Sequence, residues 1–549
     1  MRTLASLCLF TLVLIAAATR VASAQSVVDQ HITPTQWRSD LRYLQAYVEG
    51  RHPDPFFRTS KAEFQRAAVA LDAAIPTLDN AHIIMGFQKL LAMLWDGHTT
   101  IPLQYPEAGP IRARLGFRQY PLSIEHLSDG WFVTAASQDF APIVGGKVVS
   151  IGGVPMQRII EKATPYTSRD NDFTAFGRLP YLLQSPEMLE GASIVRDASR
   201  ATITVDVDGT TRSAQLRPTR EGERVDVLMR RPDAPVPFRE QNTDKFFWMA
   251  PVTNGTLYVG YNTVGNMPDQ SFEDFCALLQ RTIENEHPAR LVIDLRRNGG
   301  GSGELNLYLL NTIARVPQLD TPKTLFVLVG PRTFSAAQMA ADNFDLRTNA
   351  LFIGEPTGGR PNHYGDAHLL TLPNSGVPVA VSTVFHQENG AFDNRQFTPP
   401  QVAVDVSSDD ERRGIDPALN ALDSYVPFAT FAKDSIAALD VAGFQHAYSV
   451  YRANPQNAYV SLLGTTTRFA QSLLAAGRAA DAARLVELAL RDYPPQVTFI
   501  GNNAYRVLMQ SYDALHEREK TIAACRRWLA YDPYDVDAVN ELRRLGVQA

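Results

Sequence analysis

Two short apolar runs, each ending in a turn, constrain this chain more than anything else in it. The first is LVIDLRRNGGGSG, residues 291–303, and the second is LFVLVGPRTFSAAQMAAD, residues 325–342. A short apolar run bounded by turn residues and followed by a helical pattern reads as a buried strand feeding a helix. The two strand ends therefore present a glycine turn, Gly299 to Gly301, and a serine, Ser335. Glycines let backbone approach a ligand closely and expose N–H groups, and a serine at a helix N-terminus sits where positive dipole gathers. A hydroxyl with backbone donors beside it is the equipment of acyl transfer.

Other uses of such turns are disfavoured by what is missing. No Gly-Lys-Ser/Thr follows the glycines to cradle phosphates, and the dinucleotide fingerprint is incomplete. Ser335 has Phe334, Ala336 and Ala337 as neighbours, so it is not in a Gly-x-Ser-x-Gly elbow. A serine nucleophile needs a base, and the chain has 11 histidines. His98 stands out in LLAMLWDGHTTIPL, where a helical apolar pattern ends at Trp95 and the Asp96-Gly97 turn delivers the imidazole to a loop. A polar histidine capping a helix end is the plainer alternative. No lysine occurs between Lys323 and Lys433, so the segment after Ser335 cannot supply a lysine base.

The run DLRRNGGG, the serine in TFSAA, GEPTGG at 354–359, LPNSG at 372–376 and the upstream DGHT together resemble the tail-specific, or C-terminal processing, serine peptidases, in the branch that includes the tricorn core. The resemblance covers about residues 33–420. It implies Ser335 as nucleophile and His98 as general base, with an oxyanion hole from the N–H groups of Gly300 and Ala336, Gly299 being the near alternative. Where Ser/Lys relatives carry their lysine this chain has GEPTGGRPNHYG, and Arg360 stays protonated, so the resemblance is to a Ser/His type. It also implies an acid orienting the base. Asp393, 58 residues after Ser335 and before the Pro399-Pro400 turn, is expected there, with Glu355 and Glu388 the other candidates.

Neighbouring polar residues carry plainer readings. Glu355 suits a strand-end carboxylate organising the following glycine turn, and Asn298 suits holding the turn before Gly300. Asp294 and Arg296 read as a structural charge pair. His363, Tyr364 and His386 fit either a groove lining or a solvated loop.

At 549 residues, 45% hydrophobic and 20% charged, the chain is long enough for several cores. Its formal charge of −6 and the lack of a basic stripe give no invitation to nucleic acid. Residues 1–24 have a cationic start, an apolar run and an Ala-Ser-Ala ending, the pattern of a secretory leader, too short in its apolar part to span a bilayer. The expected protein is therefore exported, periplasmic or secreted, with no stable membrane span after cleavage. Only Cys276 and Cys525 would remain, in different domains, so neither a disulfide nor a cysteine metal site is expected, and no cofactor.

The expected architecture is multidomain α/β: a helical domain at 25–109 ending in the His98 loop, a β-rich module at 110–220, an α/β catalytic domain at 221–430, and helical repeats at 431–549. Within the β-rich module, GGKVVSIGGVPMQRIIEKA resembles part of a PDZ-like module, a kind that binds peptide as an added strand. The resemblance implies a crotonase-like catalytic domain. Pro455, Pro494 and Pro533 recur every 39 residues, each after a helical run, which resembles tetratricopeptide repeats. They would serve as a partner-binding groove or as a cap. The expected activity is a serine endopeptidase acting on exported polypeptides through an acyl-enzyme, the alternative being a catalytically silent relative that binds a peptide or a hydrophobic small molecule.

Overall fold

The structure, a computed structural model, describes residues 26–105, 108–219, 235–391, 393–495 and 498–548. The expected leader lies outside them. Among the described residues, no helix is long and apolar enough to cross a membrane.

The two apolar runs lie side by side in a six-stranded sheet. Its order is Val402–Ala403, Leu351–Gly354, Leu325–Val329, Arg290–Asp294, Thr256–Tyr261 and Phe247–Val252. All neighbours are parallel except the last pair. Both faces are covered. Phe272, Leu279, Leu309 and Phe344 from three helices pack on one side with Leu291, Ile293 and Val327, while Val292, Phe326 and Leu328 meet Ala418 and Ala421 on the other. That double burial explains why these strands are apolar at nearly every position rather than at alternate ones.

The N-terminal helices begin where the sequence signals them. Thr33 and Ser60 each close a reciprocal capping box, with Gln36 and Glu63, ahead of Pro34–Arg51 and Lys61–Ala74. The strands between Leu122 and Gln215 form an antiparallel sheet, interrupted by helices Met156–Ala163, Asp172–Leu183 and Pro186–Gly191. One continuous apolar core runs through both, from Val27 to Leu216, and takes in Leu370, Leu372, Val377, Val379 and Val381. Those last residues come from a hairpin of the downstream half. Its strand is tied to the His98 loop by a pair of backbone hydrogen bonds between Thr100 and Ala380 (2.9 and 2.8 Å). The two halves of the chain are therefore stitched together beside His98.

From Val441 onward the chain is a succession of helices, Val441–Ala453, Leu463–Ala475, Ala479–Asp492, Thr498–Ala514, Arg518–Tyr531 and Val536–Arg544. They share their own core with Phe428 and Ala432. Tyr459 joins this layer to the rest through edge-on contacts with Phe173 and Phe397 (ring centroids 6.2 and 5.9 Å apart). Phe444 is fully buried, stacked on Phe469 at 4.4 Å and edge-on to Phe428 at 5.3 Å. Phe444→Ala should destabilise the helical layer by about 3–5 kcal/mol, the scale for an emptied aromatic site. The expected readout is an earlier denaturant transition for the C-terminal helices.

Candidate active site

Ser335 stands at the start of helix Ala336–Arg347 with φ 56° and ψ −129°, a conformation non-glycine residues rarely hold. Backbone strain of this kind costs of order 1–3 kcal/mol and collects at functional turns. The strand Leu325–Val329 and the turn after it fix the position: Thr333 Oγ1 donates to Leu295 O (2.9 Å) and the Phe334 N–H donates to Asn298 O (3.2 Å). Gly300 lies directly beneath. A Cβ placed on it would come within 2.6 Å of Ser335 Cβ and 3.0 Å of the Ala336 nitrogen, and its φ of +115° independently requires glycine. Ala336 opens its helix, so its N–H has no intrahelical acceptor.

The sequence reading expects the Gly300 N–H to be available for an oxyanion. In the structure that N–H is donated to Asn298 Oδ1 (2.9 Å), and Asn298 Nδ2 in turn donates to Tyr261 O (2.9 Å). Asn298 thus holds the turn, as its sequence context suggests. Gly299, the alternative, faces open space where a Cβ would stand.

His98 is brought to the same place from the other half of the chain. Its ring stacks on Phe334, the residue before the serine (centroids 4.4 Å, planes 27° apart), and its other neighbour is His363 at 5.7 Å and 13°. Phe334 is in turn covered by the Arg178 guanidinium, 4.7 Å from its centroid. Both His98 ring nitrogens are buried with no hydrogen-bond partner, so the ring is bonded neither to Ser335 nor to a carboxylate here. Burial pushes its pKa down to about 3 against an opposing pull from Asp96. The imidazole is therefore neutral, the state a base requires. His363 shares the environment and falls to about 4 through burial and then His386.

The residue before His98 is clamped at both ends. The Gly97 N–H donates to Asp170 Oδ1 (2.7 Å), and its carbonyl accepts from Tyr105 Oη (2.9 Å) and Arg178 Nη1 (2.7 Å). A side chain at 97 would meet Phe334 Cζ at 2.6 Å, which is why this turn is glycine. Asp170 is raised to about 6 by burial and then by Asp96.

Asp393 does not reach His98. Its oxygens accept from Asn389 Nδ2 (2.7 Å) and from the guanidinium and N–H of Arg395 (2.8–3.1 Å), a local turn pairing that uses up the carboxylate. The carboxylate beside the base is Asp96, whose Oδ1 is 4.0 Å from His98 Nδ1. The sequence reading takes Asp96 only as a turn residue and assigns no place to His52 or Asp170. A nearby acid two residues before the histidine was visible; the other two come from distant loops and leave no signal. Glu355 lines a separate polar cavity with Asp405, Arg296 and Arg332, where burial and then Asp405 push it up to about 7. Asp294 and Arg296 do form a buried pair, completed by Asp416. Among the described residues, no His/Cys/Asp/Glu group could hold a metal ion.

The depressed histidines have a consequence for stability. Between pH 6.5 and about 3 the unfolded chain takes up a proton at position 98 that the folded chain refuses, so stability is full above pH 6.5 and is lost as pH falls. His363 adds in the same sense, while Asp170, raised from 3.8 to about 6, opposes it. His98→Gln should flatten the decline in unfolding free energy from urea titrations between pH 6 and 4, by up to about 1.4 kcal/mol per pH unit. An unchanged slope would mean the ring is not held neutral.

No family model matches the sequence, and no curated protein matches it. Solved structures do align. Mature CPAF complexed with lactacystin superposes with a TM-score of 0.52 at 15% identity, covering 71% of this chain and 97% of that one. A CPAF point mutant gives 0.50 at 14%, covering 72% and 96%. The photosystem II D1 C-terminal processing protease gives 0.34 at 17%, covering 69% and 96%. At these identities what this chain shares with CPAF is the fold.

Proposed function

We propose that this chain is a serine endopeptidase of the tail-specific, C-terminal processing type, cleaving exported polypeptides through an acyl-enzyme. The observation that carries the reading is Ser335, held in a strained conformation at a helix N-terminus against Gly300, with a neutral buried histidine stacked on its neighbour. Backbone N–H groups beside the serine and an imidazole kept unprotonated are separate requirements of acyl transfer, and strain collects at functional turns. The fold shared with CPAF agrees with it.

In this reading the Ser335 hydroxyl attacks the scissile carbonyl while His98 accepts its proton. The Ala336 N–H, with one from the glycine turn, stabilises the oxyanion. His98 then returns the proton to the departing amine, the C–N bond breaks, and water releases the acyl group by the same steps reversed. The substrate is a polypeptide, the C-terminal helices are a candidate surface for a protein partner, and the leader directs the chain out of the cytoplasm.

A second reading is a catalytically silent relative that binds a peptide or a hydrophobic small molecule. It is favoured by one observation, the lack of any hydrogen bond at the His98 nitrogens. Unliganded enzymes often show such loose geometry, tightening only around substrate. Labelling by a fluorophosphonate probe separates the two.

Ser335→Ala should fold normally and lose both casein hydrolysis and probe labelling; full activity in that variant would end the proposal. Gly300→Val should cost about 10²–10³ in turnover by displacing the serine and the N–H groups beside it, the scale for losing one oxyanion donor. Normal turnover in that enzyme would make the glycine turn merely architectural.

A further inference from the structure

We propose that Asp96, held from behind by His52, is the carboxylate that orients His98 and stabilises its charged form during turnover, the place the family resemblance gives to Asp393. This inference rests on Ser335 and His98 being the nucleophile and base.

Three contacts set the geometry. Asp96 and His52 both have fully buried side chains, and His52 Nε2 lies 3.1 Å from Asp96 Oδ2. The other ring nitrogen of His52, Nδ1, accepts the Asp54 N–H (3.1 Å), so the ring hydrogen is on Nε2 and is donated to Asp96. The second carboxylate oxygen, Oδ1, accepts the His98 backbone N–H (2.9 Å) and lies 4.0 Å from His98 Nδ1. Each carboxylate oxygen has two lone pairs, so Oδ1 keeps an acceptor position facing the ring.

His98 supplies the complementary need. Both its nitrogens are buried and unpartnered, and burying a polar group without a hydrogen bond is costly. A ring movement of about 1 Å brings Nδ1–H into hydrogen-bond range of Oδ1 and leaves Nε2 to accept the serine proton. Asp96 remains ionised throughout: the Ser335 proton moves to Nε2, the imidazolium is stabilised by the carboxylate, and the proton leaves again on the amine. Of the titratable and charged groups facing the ring, His363, His386 and Arg178 oppose a positive charge there and Asp96 favours it. The other acids are engaged elsewhere. Asp393 is taken by Arg395 and Asn389, and Asp170 accepts the backbone N–H groups of Gly97 and Arg360.

Asp96 and His52 are therefore positioning residues, and the test needs readouts that loss of structure alone would not move. Peptide hydrolysis should be measured for wild type, Asp96→Asn, Asp96→Glu and His52→Gln. Nitrogen NMR of the histidines in the phosphonate-labelled enzyme would report the pH at which the His98 imidazolium releases its proton. Asp96→Asn should lower kcat by about 10³–10⁴ with KM little changed, as in a related triad. It should also lower the pKa of the adduct imidazolium by more than about one unit, roughly the effect of one adjacent carboxylate. Asp96→Glu should restore part of kcat. His52→Gln, which keeps an N–H donor for Asp96, should fall between wild type and Asp96→Asn. If Asp96→Asn does not fold, His52→Gln and the wild-type adduct decide: a wild-type imidazolium that deprotonates no higher than free histidine overturns the inference. Asp96→Asn turnover within about threefold of wild type, far short of that loss, also overturns it while leaving Ser335 and His98 in place. A wild-type enzyme that neither hydrolyses peptide nor labels at Ser335 removes the reading beneath it, and both fall together.

Discussion

The contact between the Phe334 ring and the Gly97 backbone is the seam on which the site depends. His98 belongs to the core built from the first part of the chain, and Ser335 belongs to the parallel sheet, so neither core alone positions one against the other. The ring lies on position 97 so closely that a methyl group would not fit. Arg178 also lies over the ring and donates to the Gly97 carbonyl. The next residues of the same segment extend the seam: Asn171 Nδ2 donates to the carbonyls of Thr357 (3.1 Å) and Gln396 (2.7 Å), both from the downstream half. Each such bond is worth only about 0.5–1.5 kcal/mol net, but leaving any of these buried groups unpaired costs more. Their number makes the seam selective for one arrangement of the two halves.

Two carboxylates flank that glycine, and their surroundings drive them apart. Asp96 receives hydrogen bonds from His52 and from backbone and stays ionised, near 2, despite complete burial. Asp170, bonded to N–H groups, is raised to about 6 by burial and then by its neighbour's charge. Such divergence between adjacent acids marks a division of roles. One remains a permanent charge beside the imidazole, and the other holds backbone and loses its charge in mild acid. His98 and His363 in turn are kept neutral by burial, and in the proposed role the fixed negative charge of Asp96 acts most strongly when a proton arrives on His98.

What could be read in the sequence follows the range of the interactions. The sheet strands were legible because burial on both faces leaves a continuous apolar run, and Ser335 was legible because strand, turn and helix are consecutive. The helices from Val441 onward announced themselves by their recurring prolines. The local pairing of Asp393 has no sequence signature. Asp393 has Arg395 two residues on, and the turn folds that guanidinium back onto the carboxylate, a pairing no spacing rule anticipates. His52 lies 44 residues before Asp96, at the end of a different helix, and only the packed structure brings the two together. The helices Asp172–Leu183 and Pro186–Gly191 inside the strand-rich region have no such signal, although the Asp170–Arg178 stretch holds the Gly97 peptide. The apolar core shared by the N-terminal helices and the antiparallel sheet has no local signature either, since it depends on which elements face each other.

The strain at Ser335 is tolerated because the two turns of the site grow from strands in fixed register. Leu328 pairs with Asp294 in the parallel ladder, so the turn carrying Gly300 and the turn carrying Ser335 leave the sheet at the same level. Thr333 and Phe334 then bind back to Leu295 and Asn298, which leaves the chain no relaxed route into the helix. A one-residue slip would reverse the facing of every side chain in the strand, so it would have to break the bonds of Thr333 and Phe334 and repack both cores. The stiffness that holds the serine against the glycine turn is therefore a property of the sheet. His98 is carried on a loop from the other core, and its unpartnered nitrogens lie near the Asp96 carboxylate on a ring stacked against Phe334. On the proposed reading, the sheet fixes Ser335 as the nucleophile, and a ring movement of about 1 Å is all that separates His98 Nδ1 from the Asp96 carboxylate.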